Sequence, residues 1–276
     1  LSNLAFTIIA LFVSFLAGVF GSLTGLGGGL LIVPLLNLGF GIDLQHAIGT
    51  SLISIIATSC TSSIRFISYG FVNLRLTMLF GITTTLGAVF GALIAFEIST
   101  KVISFVFGVV LFASALFNFF KRNSQYQIVE KDPCATFFKL NSSYLEAEKS
   151  IDYNLRHIPL GTLMMFIAGA LSSFLGIGSG VINVPTLENL IKLPLRVSMG
   201  TSTLMIGVTA IAGIGLYLPY GYIDPIITFP VVLGILLGSF IGSVLMKNLK
   251  VKLLRQIFIT FTIIIAYKMI YNGLQK

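Results

Sequence analysis

The sequence predicts an all-α integral membrane protein of about ten transmembrane segments, arranged as two inverted repeats of five, with the second and seventh segments short or broken. Three observations predict it. Apolar residues make up 56% of the 276-residue chain and charged residues 9%, with a mean hydropathy of +1.01, whereas a soluble domain carries about 25% charged residues. The second half of the chain repeats the first at a constant offset of 151 residues. Lys and Arg gather on alternate loops, the bias that orients membrane segments.

Charge-free runs locate the segments. No charged side chain precedes Asp43, and further runs separate Asp43 from Arg65, Arg75 from Glu97, Lys101 from Lys121, Arg156 from Glu188, Arg196 from Asp224 and Asp224 from Lys247. Each is long enough for the ~20 apolar residues that cross hydrocarbon. Taking Gly, Pro and charge clusters as breaks gives 4–23, 26–40, 46–66, 76–96, 102–120, 158–175, 177–191, 198–218, 226–246 and 251–270. Helix is expected for each, because lipid offers the backbone no partners and these runs lack the in–out alternation of barrel strands. In the last, Arg255 and Lys268 must snorkel or face protein.

Residues 121–157 hold six Lys/Arg and five Asp/Glu and read as an extramembrane linker between a first repeat, 1–120, and a second, 158–276. The formal charge of +8 is carried by residues standing singly or in pairs between apolar runs, which points to topology rather than to nucleic acid. Cys60 lies in an apolar run and Cys134 in the linker, so no disulfide framework is expected. The start at Leu1 rather than Met suggests a trimmed end, and no basic stretch precedes the first apolar run to mark a signal peptide.

The repeat aligns 18–101 with 169–252 without a gap, and it pairs Gly25/Gly176, Gly27/Gly178, Gly29/Gly180, Pro34/Pro185, Gly49/Gly200, Thr50/Thr201, Ser51/Ser202, Thr77/Thr228, Gly87/Gly238 and Gly91/Gly242. Chance matching of Leu and Ile would not align these residue types. If all ten segments cross, fourteen of the seventeen Lys/Arg fall on one side and only Lys101, Lys268 and Lys276 on the other; if 26–40 and 177–191 turn back, the split is ten to seven. The positive-inside rule favours ten crossings, with both termini outside and the linker in the cytoplasm. Five segments per repeat is an odd number, so the repeats are inverted. At ~1.5 Å per residue, the short segments reach only ~22 Å of a ~30 Å core.

Both short segments open on a Gly-rich motif, SLTGLGGGLLIVPLL from Ser22 and SFLGIGSGVINVPTL from Ser173. Clustered glycines destabilise helix and admit close approach to main-chain N–H groups. The apolar run that resumes offers a fresh helix N-terminus, which favours an anion. Gly25, Gly27, Gly28, Gly29, Gly176, Gly178, Ser179 and Gly180 are therefore candidate substrate-binding residues, and helix packing through small residues is the competing reading. Thr50, Ser51, Thr201 and Ser202 add uncharged hydroxyls suited to a reversibly held oxyanion; alternatively each bonds its own helix carbonyl. Asn183, with Ile32 as its counterpart, could orient a substrate or bond a neighbouring helix. The breaks are expected to face each other across a small cavity flanked by these hydroxyls. Gly87 and Gly91, with Gly238 and Gly242, read as close-packing surfaces. Arg65 and Arg75 could draw in anions or be solvated, and Glu188 is the carboxylate to consider for proton coupling. No HExxH, Gly-Lys-Ser/Thr loop or complete dinucleotide fingerprint is present, so neither metal, cofactor nor enzyme activity is indicated.

The duplicated motif, with GLGGGLLIVPLL followed by GTSL and GIGSGVINVPTL followed by GTST, resembles the TauE/SafE family of sulfite exporters and toluene-sulfonate-uptake permeases. The resemblance covers nearly the whole chain. It implies a secondary transporter of the prokaryotic plasma membrane moving sulfite, sulfonates or sulfoacetate. A proton or sodium ion is the candidate coupling ion for a transporter of this kind, and the sequence does not choose between them. Ser179 stands where the first motif has Gly28, a departure from the glycine pattern. A channel or a membrane scaffold are the other classes this sequence allows.

Overall fold

The computed structural model describes residues 3–120, 132–138, 140–146, 149–246, 263, 266–268 and 271. The predicted segment 251–270 and the linker stretch 121–131 fall largely or wholly outside them. The described order is α1 (Asn3–Thr24), α2 (Gly29–Pro34), a π turn (Leu35–Gly39), α3 (Leu44–Ser68), α4 (Leu74–Glu97), α5 (Thr100–Phe120), α6 (Pro133–Phe137), β1 (Ser142–Glu146), β2 (Lys149–Tyr153), α7 (Ile158–Leu175), α8 (Gly180–Pro185), a second π turn (Thr186–Leu190), α9 (Leu195–Tyr217) and α10 (Pro225–Leu245). Six helices, α1, α3, α4, α7, α9 and α10, are long and apolar enough to cross a membrane. The chain is a helical membrane protein, with one addition to the expected all-α architecture: β1 and β2 pair as an antiparallel hairpin inside the linker.

The helix starts follow from residues that supply partners to orphan N–H groups. Asp43, Asn73 and Asp224 cap α3, α4 and α10 by accepting from the N–H of Gln45, Leu76 and Ile226 at 3.0, 3.0 and 2.8 Å. The two short segments share one design. Each runs for a turn and a half as α-helix, reaches Pro34 or Pro185, and continues as a π turn. A proline inside a helix lacks the N–H for the i−4 bond and crowds the preceding carbonyl, and a local π turn accommodates that.

Contacts repeat at the same 151-residue offset. A Cβ on Gly25 would lie 2.8 Å from the Met199 carbonyl oxygen, and one on Gly176 would lie 3.0 Å from the Ile48 Cα. Gly238 and Gly242 of α10 pack on Phe15 and Val19 of α1, as Gly87 and Gly91 of α4 pack on Phe166 and Ala170 of α7. These four glycines admit direct backbone approach, so their reading as packing surfaces holds. Helix direction follows from the same contacts. In α1 and α10 both numbers rise together, so the pair is parallel. In α3 and α9 they run in opposite senses: Leu52 lies at Gly213, while Ser59 Oγ donates to the Thr203 carbonyl at 2.7 Å.

The described part of the linker packs onto the helical body. Ala135, Leu140, Tyr144, Tyr153 and Leu155 are buried in the common core. Asn73, just before α4, donates from Nδ2 to the Leu140 carbonyl at 2.8 Å and to the Tyr153 hydroxyl at 3.1 Å.

Candidate functional site

The Gly-rich loops end the first helix of each half and start the next. Gly25 and Gly176 follow α1 and α7 with φ of 71° and 68°, and Gly27 and Gly178 repeat the left-handed conformation at 83° and 79°. The symmetry fails at the next position. Gly28 has φ 71°, whereas Ser179 has φ −64° and ψ −11°. The cause lies seven residues back: a Cβ on Gly21 would collide with the Gly28 backbone, and the matching residue in the second half is Ser172, which has one. That loop must therefore take another path, and on it a non-glycine residue is accommodated.

Neither helix start is capped by a side chain. Ser179 is a favoured N-cap type, yet its Oγ accepts from Asn183 Nδ2 at 2.9 Å. With no cap, the first N–H groups of both helical runs keep their positive dipole ends. Gly25 to Leu30 and Ser172 to Val181 are all buried. The two starts thus lie in the interior where the halves meet, and no Lys or Arg stands in either motif.

The expected cavity between the breaks is replaced by contact. A Cβ on Gly180 would sit 2.5 Å from the Gly25 carbonyl oxygen and 2.7 Å from the Leu26 Cα, and one on Gly178 would be 3.3 Å from the Leu26 carbonyl oxygen. The loops close on each other because glycine leaves nothing between the two backbones.

The four hydroxyls bridge the halves rather than bonding their own helices. Ser51 Oγ donates to the Gly176 carbonyl at 2.6 Å, with the Gly29 carbonyl at 3.3 Å, and Ser202 Oγ donates to the Gly25 carbonyl at 3.0 Å. Those two cross-links are exchanged by the repeat. The threonines depart from the exchange: Thr50 pairs with Thr228 at 3.1 Å, while Thr201 Oγ1 accepts from the Asn73 N–H at 3.0 Å. By contrast Ser54, Thr58 and Thr203 do bond carbonyls of their own helices. The serine protons are committed to loop carbonyls in this conformation, so they become available to an anion only if the loops part.

Thr228 and Asn73 are neighbours of the site that motif reading passed over. Thr228 had a signal in its match to Thr77; Asn73 had none, since its role depends on how the linker folds. Of the charged residues considered, Arg65 stacks its guanidinium over the Phe240 ring at 3.9 Å, and Glu188 sits half-buried in the second π turn.

The family model for "Sulfite exporter TauE/SafE" matches residues 10–269. The chain belongs to the TauE/SafE family. Among relatives, the probable membrane transporter protein YunE of Bacillus subtilis (strain 168) is 27% identical over 275 residues, covering 97% of this chain and 98% of its own. The probable membrane transporter protein YdhB of the same strain is 26% identical over 235 residues, covering 85% and 88%. A probable membrane transporter protein of Methanocaldococcus jannaschii is 26% identical over 262 residues, covering 90% and 89%. No solved structure gives a significant match. Family membership and six apolar helices make this TauE/SafE chain a multi-pass membrane protein, and the names of its relatives indicate transporters rather than enzymes.

Proposed function

We propose that this TauE/SafE protein is a secondary transporter of small anions, chiefly sulfur oxyanions of the sulfite, sulfonate and sulfoacetate type, working by alternating access in a prokaryotic plasma membrane. The observation that carries the reading is the meeting of two uncapped, buried helix starts between the repeats, without a basic side chain in either loop. An anion there would be held by N–H dipoles and hydroxyls, each contributing about 1 kcal/mol net. Several weak donors suit a ligand that must also leave. The sulfur substrate comes from the family, and the anion preference from the geometry.

The ten-segment inverted topology is part of the same proposal. It is supported by the antiparallel run of α3 and α9. Two equivalent helices related by a two-fold axis run antiparallel only when that axis lies across them, as in inverted-repeat transporters. If both short segments turned back, the third and eighth segments would run in the same direction. With fourteen of seventeen Lys/Arg on the linker side, 121–157 lies in the cytoplasm between repeats 1–120 and 158–276.

In the conformation described, Gly180 packs directly on Gly25 between the two breaks, which supports the carrier reading over a standing channel. Substrate would enter when the loops part on one side and the Ser51 and Ser202 cross-links release, a rearrangement between two packed states. The test is uptake of sulfite and of small sulfonates by proteoliposomes of the purified chain, with and without proton or sodium gradients. Saturable uptake driven by one gradient supports the reading. Non-saturating conductance would make the protein a channel, and neither activity would leave a scaffold.

A further inference from the structure

The two halves of the site are not chemically equal. Among the described residues, the buried side-chain atoms without a partner are the hydroxyls of Ser14, Ser63, Ser172 and Ser173 and the Asn183 Oδ1. Three of them belong to residues flanking the second break. At the matching positions the first half has Gly21, Ser22 and Ile32. There Ser22 accepts from Ser62 at 2.9 Å, but Gly213 stands at the position matching Ser62, so Ser173 has lost the equivalent partner. The second half has gained polar atoms and shed a group that would have satisfied one of them.

Asn183 is 0% exposed and donates through Nδ2 to Ser179 Oγ at 2.9 Å. A hydroxyl that accepts keeps its own proton to donate. Ser179 O–H and Asn183 Oδ1 thus stand side by side at the start of α8 as one donor and one acceptor. Every other group considered for an anion at these breaks is an N–H or a hydroxyl. A carbonyl oxygen facing a bare oxyanion is repulsive, and it becomes favourable only when the ligand brings a hydrogen to it.

We infer that Ser179 and Asn183 form the specificity half of the substrate site and select a small oxyanion that carries an O–H or N–H donor beside its charged group. Ser179 donates to the anionic oxygen while Asn183 Oδ1 accepts from the neighbouring donor. The Gly28 and Ile32 side of the site contributes main-chain dipoles alone, and so the bound anion has one orientation. This inference rests on the anion-transport reading above.

A matched pair of ligands tests it: 2-hydroxyethanesulfonate and propane-1-sulfonate, of similar size and equal charge, differing in an O–H against a methyl group. Binding is measured on the full chain in detergent by calorimetry or thermal shift. The wild type is expected to prefer the hydroxylated sulfonate by roughly tenfold, the scale of one good hydrogen bond at a buried acceptor. Asn183→Leu and Asn183→Ile, the latter installing the first-half residue, should bring that ratio to about one or invert it, since an apolar side chain meets the methyl group better. A wild-type ratio near one, or a tenfold preference that survives in Asn183→Leu, overturns the proposal and leaves a buried water as the partner of Asn183. The wild-type ratio needs no variant, so a destabilised mutant does not remove the test. Failure of the wild type to bind either sulfonate would instead sink the anion reading on which the proposal rests.

Discussion

Asn73 joins three parts of the molecule, and its replacement gives a sharp prediction. Its Oδ1 caps α4, its Nδ2 holds the linker through the Leu140 carbonyl and the Tyr153 hydroxyl, and its N–H donates to Thr201. Asn73→Ala removes the cap, worth about 1 kcal/mol, and two side-chain hydrogen bonds at about 1 kcal/mol each. The backbone link to Thr201 survives. Asn73→Ser keeps a capping hydroxyl but is too short to hold the linker. At about 2–4 °C per kcal/mol, Asn73→Ala should melt roughly 6–12 °C lower than wild type, with Asn73→Ser between them. Hydrogen exchange separates the two contributions. The Asp132 N–H and Leu155 N–H, which pair with the Leu155 carbonyl and Asn141 Oδ1, should exchange faster in both variants, because each frees the linker. Unchanged protection of those amides in Asn73→Ser would refute the claim that this side chain anchors the linker.

Other perturbations address the breaks directly. Gly27→Leu and Gly178→Leu should abolish uptake, since both positions have positive φ and a Cβ on Gly27 would lie 2.5 Å from Ile206 Cδ1; Gly41→Leu, equally positive in φ but facing open space, controls for backbone strain, and loss of uptake there too would undo the comparison. Thr50→Val and Thr201→Val should each weaken anion binding about fivefold, from the loss of about 1 kcal/mol, measured below the melting transition because each also loses a buried hydrogen bond; normal affinity in both would move the substrate path elsewhere. Ser51→Ala and Ser202→Ala remove cross-links exchanged by the repeat, so their effects on melting should agree within about 0.5 kcal/mol, and a large difference measured by thermal denaturation would show that the halves are not equivalent there. A cysteine placed at the exposed Ser143, in a chain lacking Cys60 and Cys134, should react with impermeant reagent only from the cytoplasmic side; labelling in intact cells would reverse the topology.

Much of the fold was legible because lipid enforces a simple rule: an apolar run must satisfy its own backbone and becomes helix. The capping of α3, α4 and α10 by Asp43, Asn73 and Asp224 was not read from the sequence, which placed those segments from charge-free runs and the breaks between them. The π turns were not, because Pro34 and Pro185 signal a disturbance without specifying how the backbone absorbs it. Nor was the hairpin Ser142–Tyr153, whose Tyr144 and Tyr153 are buried against the helical body rather than solvated. Balanced charge marked this stretch as extramembrane, but composition does not reveal that two tyrosines in it have a helical surface to pack on.

The site divides in the same way. A repeat in the sequence exposes what the halves share, so the paired glycines and hydroxyls could be named from their offset. Which carbonyl each hydroxyl meets is a property of the interface, and the exchange of Ser51 to Gly176 with Ser202 to Gly25 appears only once the halves are packed. The gap between the expected cavity and the observed contact has a physical cause. Glycines that would let a ligand approach the backbone equally let another backbone approach it, and here Gly178 and Gly180 meet Gly25 and Leu26 directly. Under the proposed function, an entering anion would replace the contact of Gly180 with Gly25 and compete for serine protons now held by two carbonyls. On that reading closure and binding draw on the same groups, so Ser51→Ala and Ser202→Ala, which release the two carbonyls, should weaken the closed packing and the anion site together.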